Sequence, residues 1–144
     1  MLINGDWLLC DDSVERPVIF GEILSGDGSW RVAEFLVDVG ADRTILSANV
    51  FESLNLSSRK PDEPIGGVGG LVESVITTTQ IRLTCDDTSK VLFRGDFAAC
   101  VEYESLDMSV LGRDIMKYFA VIVDQPADHV VLLRERHAYH ISKN

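Results

Sequence analysis

VDVGADRTIL, residues 37–46, decides how this chain is read. Val37 closes an apolar, strand-like run, WRVAEFLV at 30–37, and Asp38 follows it directly. Val39, Gly40 and Ala41 come next, then a second carboxylate, Asp42, before the chain turns apolar again. A carboxylate at the mouth of a strand, beside a glycine and an alanine, has room for close backbone approach. Upstream, PVIFGEIL at 17–24 is also strand-like, and Ser25-Gly26-Asp27-Gly28-Ser29 between the two runs is a strong turn signal. The two runs form a hairpin that leads into Asp38.

Downstream, SANVFESLNL at 47–56 fits a short helix, with Ser47 as its cap and Leu46 stapled onto Phe51. Residues 57–64 form a polar loop with Pro61 and Pro64. IGGVGG at 65–70 precedes an extended stretch rich in Val, Ile and Thr, LVESVITTTQIRLTC. A turn at Asp86–Ser89 leads into VLFRGDFAACVEY, another strand region. VLGRD at 110–114 runs into the short apolar segment IMKYF, and AVIVDQPADHVVLL reads as a final hairpin. The tail from 134 to 144 has no pattern of its own, and no repeat is present.

Composition narrows the function classes. The chain has 144 residues, enough for one domain, and 46% of them are apolar. Its formal charge is −10, from 13 basic and 23 acidic residues. Such a surface repels phosphate backbones, so no nucleic-acid partner is expected. The first residues, MLINGDWLLCDD, show no signal-peptide pattern, and no run is long enough to span a membrane. Cys10, Cys85 and Cys100 are odd in number and lack CxxC spacing, which favours reduced thiols and a cytoplasmic location. Cys85 and Cys100 lie in strand-like runs and suit the core. His129, His137 and His140 do not converge with other ligand types, so no metal or other cofactor is expected. Trp30 is expected to pack on the core, and Asp11, Asp12 and Glu15 to be solvated surface.

Three motifs therefore occur in order: VDVGA at 37–41, IGGVGG at 65–70 and VLGRD at 110–114. Together they resemble the retropepsin-like aspartic proteases, whose order is an Asp loop, a glycine-rich flap and an apolar-Gly-Arg segment before a helix. The spacing is similar to that in the protease domains of DNA-damage-inducible proteins and in small bacterial retropepsin-like proteins. The resemblance covers residues 17–133, leaving 1–16 as an N-terminal segment. It implies an all-β barrel with one or two short helices and a glycine-rich flap hairpin. By the same resemblance, Asp38 is catalytic, with Val39, Gly40, Ala41 and Asp42 forming the active-site loop. Ile65, Gly66, Gly67, Val68, Gly69 and Gly70 would form the flap over a peptide substrate. Gly112, Arg113 and Asp114 would support the loop, with Arg113 meeting Asp42.

The chemistry adds a requirement. Aspartic proteolysis needs two carboxylates close enough to share one proton. A second such loop does not occur in the chain, since Asp87-Thr88-Ser89 lacks the glycine. A protease built on this sequence must therefore be a C2 homodimer with one Asp38 from each copy. The glycine-rich run is a poor phosphate loop: GxGxxG is unmatched and no GKS/T follows. Val39 departs from the family pattern, which has Thr or Ser there to cross-link the two loops. Each lost hydrogen bond is worth about 1 kcal/mol. Ala41 likewise removes a hydroxyl that could donate to Asp38, which predicts a less acidic activity optimum. A catalytically silent peptide-binding module and a purely structural dimerisation domain are the alternatives. Apolar side chains are expected around the scissile bond.

Overall fold

The computed structural model describes residues 1–67, 70–134 and 142–143. In chain order the elements are β1 (Leu2–Asn4), β2 (Asp6–Leu9), β3 (Glu15–Leu24), β4 (Trp30–Val37), β5 (Ile45–Leu46) and α1 (Ala48–Leu54). They continue with β6 (Ile65–Gly67), β7 (Gly70–Val72), β8 (Ser74–Thr84), β9 (Lys90–Cys100), β10 (Ser109–Leu111), α2 (Arg113–Met116), β11 (Ala120–Asp124) and β12 (His129–Leu133). The fold is mostly β with two short helices, as the patterning predicts.

Seven strands form one sheet in the order β2-β3-β4-β10-β5-β9-β8, and β3 also pairs with β8. That last pairing closes the sheet into a barrel. One edge of β3 runs along β4, from Val18↔Leu36 to Leu24↔Trp30. The other edge is shared: its first half pairs with β2 and its second half with β8, over Gly21–Ile23. This closure covers the edge of β8 that an open sheet would expose.

Period-two alternation sets the core. In β4, Ala33, Phe35 and Val37 are buried, while Val32 and Glu34 face out. In β8, Thr77, Thr79, Ile81 and Leu83 point inward. Phe35 is the largest of the fully buried side chains. Cys85 and Cys100 are buried with it, and burial pushes the Cys100 thiol above its ordinary range. The turn between β3 and β4 has Gly28 at φ 83°, a conformation suited to glycine.

Residues 1–16 are woven into this fold. β1 pairs with β12, β2 pairs with β3, and Ile3 is in the core. Two expectations are corrected. Ser47 stands at the N-cap of α1, but its hydroxyl makes no cap bond and donates instead to Asn49 Oδ1 at 2.7 Å. Trp30 is only half-buried and lies under the Arg82 guanidinium, 4.0 Å from the ring centre, whereas Trp7 packs against the core. Among the described residues no helix is long and apolar enough to cross a membrane.

Candidate active site

Asp38 stands where β4 ends. Its N–H donates to the Leu111 carbonyl at 3.3 Å, the last bond between β4 and β10. The chain then turns sharply. Gly40 N donates to Asp38 Oδ1 at 2.9 Å, and Ala41 N donates to the Asp38 carbonyl at 3.1 Å. The carboxylate is thereby held by its own loop. A Cβ at Gly40 would lie 3.2 Å from Asp38 Oδ1, tight enough to disturb that grip. Asp38 is half-buried, and Val39 beside it is 61% exposed.

The loop is tied to residues some seventy positions later. Arg113 N donates to the Ala41 carbonyl at 2.9 Å, and Asp114 N donates to the Asp42 carbonyl at 3.2 Å. Arg113 then reaches back over the loop. Its guanidinium donates to the Val39 carbonyl at 2.8 Å and forms an ion pair with Asp42. The fork shape of arginine lets one side chain hold both acceptors. The pair is exposed, so its value lies in geometry more than in energy.

Thr44 is the residue that sequence reading missed. It is fully buried, and its hydroxyl does two jobs. It donates to Asp114 Oδ1 at 2.7 Å and accepts from Gly112 N at 3.1 Å. Thr44 N also donates to Asp114 Oδ1, at 2.9 Å. A lone hydroxyl between Arg43 and the apolar Ile45-Leu46 was the available signal, since a buried polar group needs partners. Gly112 is required by space: a Cβ there would overlap the Arg43 carbonyl group. The structure thus brings Asp38, Val39, Gly40, Ala41, Asp42, Gly112, Arg113 and Asp114 into one cluster.

The glycine-rich run forms an antiparallel hairpin, with Ile65↔Val72, Gly66↔Leu71 and Gly67↔Gly70. Of the residues expected to form its tip, Val68 and Gly69 lie outside the described residues. So do His137 and His140. His129 is exposed at the start of β12, and no group of three or more potential metal ligands occurs among the described residues.

Comparisons with known proteins agree with this arrangement. The description "retroviral aspartyl protease" matches residues 15–124. No curated protein matches the chain significantly in sequence. Among solved structures, the chain is similar to the EIAV protease complexed with the inhibitor HBY-793. That match has a TM-score of 0.52 and 23% identity, covering 71% of this chain and 86% of the other. It is also similar to a retropepsin-like aspartic protease from Rickettsia conorii, with a TM-score of 0.51 and 15% identity, covering 92% of this chain and 86% of that one. The fold is therefore the retropepsin fold, and the matched span includes the Asp38 loop, the glycine-rich hairpin and the Gly112–Asp114 segment. With more than half of its length matched by the family description, the chain belongs to the retroviral aspartyl protease family.

Proposed function

We propose that this chain is an aspartic endopeptidase that works as a homodimer, with Asp38 from each copy forming the catalytic pair. The observation that carries this reading is the loop itself. Asp38 is presented at a strand end, gripped by one N–H, in a loop locked by Arg113 and Thr44. One such loop supplies one carboxylate, and the reaction needs two. The exposed Val39 lies next to Asp38, where a second copy would meet it across a two-fold axis.

In the dimer the two Asp38 carboxylates share one proton, because like charges at contact distance do not both ionise. The ionised member takes a proton from water, and the resulting nucleophile attacks the peptide carbonyl. The neutral member donates a hydrogen bond to the carbonyl oxygen as negative charge develops there. The β6/β7 hairpin acts as a flap that closes over an extended peptide and excludes water.

Cleavage of a mixed peptide library from mildly acidic to neutral pH tests the proposal. Wild type should cut and Asp38→Asn should lose about a thousandfold in rate, with the active species sedimenting as a dimer. A specific observation favours a second reading, a peptide-binding module without turnover: Val39 has no hydroxyl to cross-link the two loops. A sedimenting dimer that cuts nothing, yet binds peptides equally well as wild type and as Asp38→Asn, would establish that reading instead.

A further inference from the structure

A groove of about 600 Å³ opens between the turn that joins β2 to β3 and the segment before β10. Its walls are mixed. Leu106 and Met108 are half-buried, while Tyr103 is 59% exposed. Asp11, Glu34 and Asp107 stand on its rim, all exposed. Arg16 also lines the groove, but it is already bound to Asp12 by two hydrogen bonds of 2.9 and 2.6 Å. Asp11, Glu34 and Asp107 have no ion pair or hydrogen bond among the described side chains. The groove therefore offers three uncompensated negative charges above an apolar wall.

Its place in the fold connects it to Asp38. The period of β4 puts Glu34 and Leu36 on the face opposite the core, and Asp38 is the next residue of that parity. Glu34 lies four residues before Asp38, about 13 Å along a strand. An extended peptide spans that distance in about four residues. Met108 flanks Glu34 because β10 runs parallel to β4, with Ser109 opposite Phe35. The Asp11 side of the groove lies before residue 15, where the match to the family description begins. This wall belongs to the β2–β3 hairpin.

We propose that this groove is a specificity subsite that takes a lysine or arginine side chain of the bound peptide, about four residues from the scissile bond. The proposal rests on the peptide-cleaving reading and names its substrate class. A long basic side chain fits both features of the groove: its aliphatic stem covers the apolar wall and its charged head reaches the rim carboxylates. An acidic side chain in the same place meets three like charges. The carboxylates do not converge as a metal site would, since no metal-holding group occurs among the described residues.

The test is a set of matched peptides carrying Lys, Gln or Glu at each position flanking a cut, offered to wild type and to Glu34→Gln/Asp107→Asn. The expected result is a Lys-over-Gln preference of about fivefold or more in kcat/KM at one position, weakening with added salt and collapsing in the double variant. Cleavage without that preference, or with a preference unchanged in the variant, overturns the subsite and leaves the protease reading intact. Should no peptide be cut, fluorescence anisotropy of the same labelled peptides decides. Lys-selective binding lost in the variant supports the groove and overturns turnover, whereas unselective or absent binding overturns both. Thermal melting of the variant, whose two changed residues are exposed, checks that lost preference does not reflect misfolding.

Discussion

Asp38 and Asp27 adopt the same local geometry and live in different chemistry. Each carboxylate accepts the N–H of the residue two positions on, Gly40 to Asp38 and Ser29 to Asp27, both at 2.9 Å. Asp87 repeats the turn with Ser89 N, again at 2.9 Å. The difference is in hydroxyls. Asp27 also accepts from Ser25 Oγ and from Ser29 Oγ, and Asp87 from Ser89 Oγ. The serine hydroxyls, with the backbone N–H behind them, hold the Asp27 carboxyl well below its ordinary range and lower that of Asp87. Around Asp38 the positions that could supply a hydroxyl are Val39 and Ala41. The turn aspartates each gather hydroxyl and backbone donors onto one oxygen and serve structure. The matching oxygen of Asp38 takes one backbone N–H and, among the described residues, no hydroxyl.

The largest expected structural effect comes from Gly112→Ala, which pushes a Cβ into the Arg43 carbonyl group and forces the two tied segments apart. A loss of about 3 kcal/mol is expected in chemical denaturation, together with loss of cleavage. Thr44→Val is next. It leaves Gly112 N without its acceptor and Asp114 with one donor fewer, for a loss of about 2 kcal/mol in the same measurement. Both changes act on the lock around the Asp38 loop and leave the Asp27 turn untouched.

Val39→Thr runs in the opposite direction. It restores a hydroxyl beside Asp38 and should tighten dimerisation by about 1 kcal/mol for each bond formed, visible in sedimentation equilibrium. Ala41→Ser makes Asp38 more like Asp27 by adding a donor to the carboxylate. The acid limb of the pH–rate profile should move to lower pH; a limb that stays in place would show that residue 41 does not reach the carboxylate.

The smallest effect belongs to the turn itself. Because the Asp27 carboxyl is depressed in the folded chain, its contribution to stability is present above the ordinary aspartate value of 3.8 and fades as pH falls below it. Asp27→Asn should therefore flatten the acid side of the stability curve while leaving cleavage near neutral pH alone. Thermal melts at pH 3 and pH 6 would show it.

Much of this was legible in the chain because the signals are local. The 17–37 hairpin announces itself through two apolar runs around a glycine-rich turn. The three motifs mark the candidate site by their order. Three features were illegible for a single reason. Thr44 reads as one polar residue among apolar ones until Gly112 and Asp114 arrive beside it. β1 and β2 are too short to show a period, and they become strands because β12 and β3 offer edges to pair with. Trp30 has the composition of a core residue, yet Arg82 on another strand claims its face.

The sequence by itself determined that one copy carries one Asp loop, that Val39 and Ala41 remove its hydroxyls, and that a glycine-rich hairpin follows. Those are matters of residue type and short-range spacing, fixed by side-chain chemistry and backbone sterics. The tertiary structure decided how residues 38–44 and 111–114 lock together, how β3 divides its edge to close the barrel, and how Glu34 and Asp107 come to line one groove. These depend on hydrogen bonds and pairings between residues far apart in sequence, whose geometry exists only once the barrel has closed.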